Sequence, residues 1–250
     1  MKKVLTLNDV CLTYHTLQGE TNALSHFNLM VEEGEFVGIV GPSGCGKTTI
    51  LSLIAGILSP SSGSIILDGG DTYSLKCGYM LQKDHLLDWR TIYKNILLGL
   101  EIRGRISSEN LEYVDDLLNK YGLKEFKYSY PHQLSGGMRQ RVALIRTLVL
   151  KPSVLLLDEP FSALDYVTRL SVCDDVHRII KQEKKTAILV THDISEAISL
   201  CDRVVVLTNR PATVKSIHPI LIEGEPLVRR KSSAFATTFD KIWEDLDIKL

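Results

Sequence analysis

The chain has 250 residues, of which 44% are apolar and 24% charged, with a formal net charge of −1. That balance is typical of a folded globular protein and excludes a disordered polar chain. The near-neutral charge does not indicate a generally basic nucleic-acid-binding surface, and no apolar run approaches the roughly 20 residues of a membrane span. A role at a membrane would therefore need other chains to supply the span. The five cysteines, Cys11, Cys45, Cys77, Cys173 and Cys201, are scattered. None forms a C-x-x-C pair, which argues against a zinc site or a disulfide framework and fits a reducing cytoplasm. Met1-Lys2-Lys3 is basic, but the following residues to Asp9 are interrupted by polar side chains and do not make a secretory signal.

Leu5 to Tyr14 alternates as a strand, Phe27 to Val31 continues the pattern, and Glu33-Gly34 reads as a turn. Glu35 to Val40 is a short apolar run of buried-strand type. Next comes Val40-Gly41-Pro42-Ser43-Gly44-Cys45-Gly46-Lys47-Thr48-Thr49, which fits G-x-x-x-x-G-K-[ST] with Gly41, Gly46, Lys47 and Thr48 at the fixed positions. Thr49 to Gly56 reads as a helix ending near Gly56. Strand, glycine loop and helix together build an anion cradle. The glycines let successive N–H groups turn inward, and the helix N-terminus adds partial positive charge. Gly41 to Thr49 is accordingly the candidate nucleotide-binding segment. Lys47 can reach β- and γ-phosphates, and the Thr48 hydroxyl can ligate Mg²⁺. Cys45 in this loop has two readings: a thiol made reactive by the helix N-terminus, or simply a small residue that fits. In the first reading a thiol reagent inactivates the protein and ATP protects it.

Ser59 to Gly63 reads as a turn, Ser64 to Leu67 as a strand, and Asp68-Gly69-Gly70 as another turn. The middle of the chain changes character. Thr91 to Arg103 and Ser108 to Tyr121 read as helices; in the second, Leu111, Val114, Leu117, Leu118 and Tyr121 recur at helical spacing, with Ser107 or Ser108 as cap. These mark a helical subdomain over about residues 90–150. Leu134-Ser135-Gly136-Gly137-Met138 precedes a helix expected from Arg139 to Leu150. Ser135, Gly136 and Gly137 at that helix start form a second candidate anion site.

Val154 to Leu157, Ala187 to Val190 and Val204 to Leu207 are continuous apolar runs of the kind found in parallel strands buried on both faces, and their alternation with helices argues for an α/β core. Asp158 and Glu159 end the first of these runs. Beside a nucleotide, Asp158 can hold Mg²⁺ through its water shell, and Glu159 can orient the attacking water or take its proton; alone, the pair could be an acidic helix cap. Asp193 and Glu196 have capping-box spacing. In a tail over about residues 221–250, Phe235, Phe239, Ile242, Trp243 and Leu246 share one helical face and read as a packing helix. Arg229-Arg230-Lys231 reads as a solvated charge run in preference to a lipid contact.

The phosphate loop, Gln82 in Gly78-Tyr79-Met80-Leu81-Gln82, Leu134 to Met138, Asp158-Glu159, Ser162-Ala163-Leu164-Asp165 and Thr191-His192-Asp193 occur in the order seen in ATP-binding-cassette (ABC) ATPases, and the resemblance covers nearly the whole chain. It implies one ABC ATPase domain over residues 1–250: a P-loop core with a mainly parallel sheet, an N-terminal antiparallel β subdomain and a helical subdomain. It also implies ATP and Mg²⁺ as ligands, with Thr48, Asp158 and Gln82 toward the metal. Tyr14 resembles the aromatic residue that stacks on adenine, with a core tyrosine as the alternative. Gln82 resembles the residue that senses Mg²⁺ and the attacking water. His192 resembles the residue that bonds the γ-phosphate and Glu159. Glu159, His192 and Gln82 are thus the catalytic candidates. The resemblance further implies a head-to-tail homodimer with two ATP molecules between subunits. Each phosphate loop would face Ser135-Gly136-Gly137 of the other subunit, with Asp165 at the contact.

More narrowly, Leu86-Leu87-Asp88-Trp89 and Asn209-Arg210-Pro211-Ala212 resemble the nitrate/sulfonate/taurine importer branch, with Asp88 where that branch usually has proline. Related branches carry pyrimidine-like vitamin precursors. This implies a subunit on the cytoplasmic face of the membrane that energises import through two permease subunits, supplied by an extracytoplasmic solute-binding protein. Leu86, Leu87 and Trp89, rimmed by Lys83, Asp84, His85 and Asp88, have the anatomy of a protein interface; the alternative is that Trp89 packs inward. A soluble ATPase of the same class would usually carry two cassettes or a long coiled-coil insert, and neither is present. A GTPase would want Asn-Lys-x-Asp, but Asn119-Lys120 is followed by Tyr121-Gly122. A stand-alone ATP sensor would have no use for Glu159.

Overall fold

The computed structural model describes residues 2–17, 19–67 and 76–246. The turn expected at Asp68-Gly69-Gly70 lies outside the described residues. The strands form two sheets. β1 (Lys3–Thr16) and β2 (Gly19–Glu32) make a long antiparallel hairpin, and β4 (Ser62–Leu67) pairs with the other edge of β1, giving the order β2-β1-β4. β2 begins well before the expected Phe27. Its first residues, Gly19 to Asn22, are polar or glycine and none is buried, so they carry no apolar alternation to read.

The second sheet has the order β5-β6-β7-β3-β8-β9, with β5 (Cys77–Met80), β6 (Val154–Asp158), β7 (Thr186–Val190), β3 (Phe36–Val40) and β8 (Arg203–Leu207) parallel. β9 (Val214–Pro219) runs antiparallel to β8 along the edge. Every residue of β3, β6 and β7 is buried, as their unbroken apolar runs require. Successive side chains on a strand point to opposite faces, so each of these strands feeds two cores. Leu155, Leu157, Ala187 and Leu189 pack with Ile96, Leu117, Val142 and Val176 on one face. Leu156, Ile188 and Val190 pack with Leu5, Phe27, Ile50 and Leu67 on the other. The second of these cores joins the parallel sheet to the antiparallel one.

The helices are α1 (Lys47–Ile54), α2 (Ile92–Ile102), α3 (Ser108–Lys120), α4 (Gly136–Leu148), α5 (Tyr166–Gln182), α6 (Ile194–Leu200), α7 (Pro226–Arg230) and α8 (Ser233–Asp245). Thr91 and Ser107 cap α2 and α3, accepting from the backbone N–H groups of Lys94 and Asn110. α4 starts three residues before the expected Arg139. Glycine is a weak helix former in an interior, but here it occupies the first turn, and the Ser135 side chain caps that turn by accepting from Met138 N at 3.3 Å. The tail helix packs as expected: Ile242 and Leu246 are buried against Val204, Val206 and Ile198, with Phe235, Phe239 and Trp243 beside them.

One expectation about the tail is corrected. Arg229 is not part of a solvated charge run; it is buried, and its guanidinium donates to the carbonyls of Cys201 (2.8 Å), Ser199 (3.3 Å) and Gly224 (3.0 Å). Two of these carbonyls lie at the end of α6, where orphaned acceptors and the helix dipole favour a cation. Among the described residues no helix is long and apolar enough to cross a membrane.

Candidate active site

Parallel register brings the candidate residues together. Asp158 on β6 lies opposite Val190 on β7, which lies opposite Ile39 on β3. The ladder continues past the strands through Glu159 N to Val190 O (2.8 Å) and Thr191 N to Ile39 O (3.2 Å). The phosphate loop, Asp158-Glu159 and Thr191-His192 therefore all leave the carboxyl ends of adjacent strands, the usual ligand-binding edge of such a sheet.

In the loop, Gly44 and Gly46 have φ of 72° and 123°, backbone that a side chain would strain. Lys47 is buried, and its ammonium donates to the carbonyls of Gly41 (2.9 Å) and Pro42 (3.0 Å), closing the loop over α1. Thr48 points the other way and donates to Asp158 Oδ1 at 3.1 Å. Tyr79 on β5 donates its hydroxyl to Asp158 Oδ2 at 3.0 Å. Burial is the main influence on the Asp158 carboxyl and raises its pKa, although the Tyr79 and Thr48 hydroxyls and Lys47 all favour the charged form. A poorly solvated carboxylate beside a threonine hydroxyl is an all-oxygen donor pair that suits a hard divalent ion such as Mg²⁺. Among the described residues no three His, Cys, Asp or Glu side chains form a cage for a metal. A shared site with substrate phosphates would need none.

Glu159 is the meeting point of the second group. Its Oε2 accepts from Gln82 Nε2 at 3.2 Å and lies 3.1 Å from His192 Nδ1. The residue sits in the left-handed region with φ of 44°, a conformation that costs about 1–3 kcal/mol for a side chain other than glycine. Hydrogen bonds from Ser162 N (3.2 Å) and Ser162 Oγ (3.0 Å) to the Glu159 carbonyl hold it there. A carboxylate joined to an amide and an imidazole beside an anion cradle can hold a water for in-line attack and take its proton.

Tyr14 is 37% exposed and bonds Thr49 Oγ1 at 3.2 Å. It is therefore not a core residue, and one edge of its ring is fixed at the start of α1. Ser135, Gly136 and Gly137 lie elsewhere, and among the described residues no hydrogen bond joins them to the phosphate loop. The two glycines pack closely instead: a Cβ on Gly136 would lie 3.0 Å from Leu164, and one on Gly137 would lie 2.7 Å from Val172 and 3.3 Å from Thr168 of α5. The N–H groups of Gly136 and Gly137 are in the first turn of α4, where they lack intrahelical acceptors. Asp165 caps α5 by accepting from Thr168 N at 3.1 Å, and this bonding holds its carboxyl below the usual range.

Asp193 caps α6, accepting from Ser195 N and Glu196 N. The capping box is modified by a hydroxyl relay: Asp193 N donates to Thr191 Oγ1 (3.0 Å), which donates to the buried Glu196 Oε2 (2.7 Å). Arg169 lies 3.6 Å from Asp193 and 3.7 Å from Glu196.

The reactive reading of Cys45 is corrected. Its side chain is buried, and that burial pushes the thiol above its usual range, outweighing the nearby Lys47 and Arg210 charges. A thiol reagent is expected to label partly exposed Cys11 about tenfold faster than Cys45. Peptide mapping against ATPase activity checks this: inactivation that tracks Cys45 labelling would restore the reactive reading.

Sequence reasoning assigned no role to Tyr79, and no local signal marks it; β5 brings it beside Asp158 across 79 residues. Arg210 carries no local signal beyond its Asn-Arg-Pro-Ala motif, yet its Nη2 and Nε donate to the carbonyl of Gly44 at 2.9 and 3.3 Å.

Residues 24–162 match the protein-family model described as "ABC transporter". The chain is 44% identical to the uncharacterized ABC transporter ATP-binding protein YtlC of Bacillus subtilis (strain 168), over 97% of this chain and 95% of the relative. It is 38% identical to the aliphatic sulfonates import ATP-binding protein SsuB of Bacillus cereus (strain ZK / E33L), over 92% and 90%. Among solved structures it resembles the dimeric post-hydrolysis state of the ATP-binding cassette MJ0796 bound to ADP and Pi, with a TM-score of 0.72, 31% identity, and coverage of 88% of this chain and 99% of that one.

Proposed function

The chain belongs to the ABC transporter ATPase family, and from that premise we propose that it hydrolyses ATP to drive solute import through separate permease subunits. The observation that carries the chemistry is the junction of Gln82, Glu159 and His192 at the strand edge that also bears Lys47. In this reading the phosphate loop cradles the β- and γ-phosphates, with Lys47 exchanging loop carbonyls for phosphate oxygens. Tyr14 stacks on adenine. Glu159 orients the water and takes its proton, while Gln82 and His192 hold the carboxylate in place. Thr48, Asp158 and Gln82 would hold Mg²⁺, which supplies charge neutralisation at the phosphates. Tyr79 keeps Asp158 aimed. ATP binding at a dimer interface would bring Ser135, Gly136, Gly137 and Asp165 of one subunit to the phosphate loop of the other. The dimeric state of the MJ0796 cassette supports a dimer.

The import direction is supported by the likeness to SsuB. In this reading the subunit sits on the cytoplasmic face of the membrane, with two permeases and an extracytoplasmic solute-binding protein. The solute class is a small oxyanion such as a sulfonate, taurine or nitrate, or a pyrimidine-like precursor. Co-purification with the permeases, followed by uptake and ATPase assays with these solutes in proteoliposomes, tests the assignment. Solute-independent ATPase activity and no association with permeases would overturn it.

The segment from Gln82 to Trp89 supports the proposed route of coupling. Leu86 is buried in the core, so it is not part of an exposed cluster as expected. Leu87 is half-buried and Trp89 is 76% exposed, which removes the inward-packing alternative. The loop is rigidly held. Buried Asn95 accepts from Leu87 N at 2.7 Å and donates to the carbonyls of Leu87, Arg90 and Thr91. Arg139 pairs with Asp84, and Arg146 donates to the carbonyls of Asp84 and His85. A permease pressing on Trp89 would thus move a stiff segment whose other end touches Glu159 through Gln82. Leu87→Ala with Trp89→Ala is expected to change the stability of the isolated subunit by no more than about 1 kcal/mol while abolishing uptake or assembly. Asp88→Pro is expected to weaken coupling and spare ATP binding. Normal uptake with all three changes removes the segment from the interface.

A further inference from the structure

The turn after β8 is unusually well anchored for an exposed connection. Thr208 N donates to Thr213 O at 3.1 Å, and Thr213 N donates to Thr208 Oγ1 at 2.9 Å, closing residues 208–213 on themselves. Ala212 is fully buried and is stitched to β2: its N–H donates to Ala23 O at 2.9 Å, and its carbonyl accepts from Ser25 N at 3.2 Å. The turn is therefore a fixed arm linking the parallel sheet to the antiparallel one. From this arm the Arg210 guanidinium reaches the exposed apex of the phosphate loop and puts both Nη2 and Nε on one acceptor, the carbonyl of Gly44.

A peptide group is planar, so a carbonyl held outward by Arg210 turns the next N–H, that of Cys45, toward the inside of the loop. There it donates to Pro42 O at 3.2 Å, an intraloop partner that an incoming phosphate oxygen can replace. Lys47 behaves in the same way, resting on the carbonyls of Gly41 and Pro42. The inner donors of the cradle are thus oriented before nucleotide arrives, and at the outer face of its apex the Gly44 carbonyl is held by the Arg210 side chain. Guanidinium is suited to the task because it keeps its charge and presents its donors in a rigid fork.

We propose that Arg210 is a positioning residue for ATP binding: clamped to Gly44 from an arm anchored on β2, it pre-shapes the phosphate loop and adds positive charge at its rim. The proposal rests on the reading of this loop as the nucleotide site. A side chain that only stabilised the fold would move melting temperature and leave nucleotide kinetics alone. One that pre-shapes the cradle moves KM for ATP with little change in kcat, because the reacting groups at Glu159 are untouched.

The test compares the wild type with Arg210→Ala, Arg210→Gln and Arg210→Lys in steady-state ATP hydrolysis, thermal melting, and the rate of Cys45 alkylation with and without ATP. Arg210→Ala and Arg210→Gln are expected to raise KM for ATP about tenfold with kcat within about twofold, and to leave the melting temperature within about 2 °C of the wild type, as for an exposed surface contact. Without ATP, Cys45 should be alkylated about tenfold faster than in the wild type, since a loosened loop exposes the buried thiol, and saturating ATP should suppress the increase. Arg210→Lys should recover part of the KM, since it retains the charge and one donor. Unchanged KM and unchanged Cys45 alkylation in the alanine variant, with a normally active wild type, overturn the clamp alone. A wild type in which ATP neither is hydrolysed nor protects Cys45 overturns the nucleotide-site reading beneath it.

Discussion

Glu159→Gln is expected to slow ATP hydrolysis by about 10²–10⁴-fold, the usual contribution of a positioned general base, while leaving ATP binding intact. The backbone at Glu159 is fixed independently of its carboxylate, through Glu159 N to Val190 O at 2.8 Å and the two bonds from Ser162 to its carbonyl. Glutamine has the same shape and can still accept from Gln82. What it loses is the negative charge, which in the proposed reaction takes the proton, 3.1 Å from His192 Nδ1. The phosphate loop and Lys47 are not in contact with this change, so nucleotide affinity should persist. A variant that binds but does not cleave should accumulate as the ATP-bound dimer. Size-exclusion chromatography with ATP and Mg²⁺, beside a phosphate-release assay, checks both points. Turnover near that of the wild type would remove Glu159 from the reaction and leave the Asp158 side of the site to explain hydrolysis.

Lys47→Ala should fail at the earlier step. Each hydrogen bond to a charged group contributes about 1.5–3 kcal/mol, so losing the ammonium from the β- and γ-phosphates should weaken ATP binding by roughly 10–100-fold. The lysine stem is buried and its ammonium satisfies two loop carbonyls, so part of the effect could come from a collapsed loop. Lys47→Met retains most of the buried stem while removing the charge. Titration calorimetry of both variants separates the causes: equal losses indicate the charge, while a smaller loss in Lys47→Met indicates loop packing. ATP affinity unchanged in Lys47→Met would show that the ammonium serves only its own loop.

The sequence by itself determined the features whose physics is local. The phosphate loop follows β3 and opens α1 within about ten residues, and that strand, loop and helix order is what an anion cradle of this kind requires. Asp158-Glu159 and Thr191-His192-Asp193 each end an apolar run, so their arrival at one sheet edge follows once the runs are parallel strands. The packing face of α8 was equally legible, because period and burial agree along a single helix.

Tertiary structure alone decided what depends on neighbours distant in the chain. Tyr79 reaches Asp158 because β5 and β6 are paired, and Arg210 reaches Gly44 across 166 residues because Ala212 is stitched to β2. Leu86 and Trp89 are both large apolar residues three apart, yet the fold buries the first in the core and leaves the second exposed. Cys45 has a position that favours a thiolate and surroundings that oppose it. Its sulfur packs where a Cβ on Gly41 would lie only 2.9 Å from it and from Leu207, so desolvation wins. Arg229 carries the composition of a solvent-exposed run yet is buried, because the end of α6 presents it with unpaired carbonyls. Local pattern specifies which groups can do chemistry. Burial and long-range pairing specify which of them are aimed, held or silenced, because both depend on surfaces that meet only after the chain has folded.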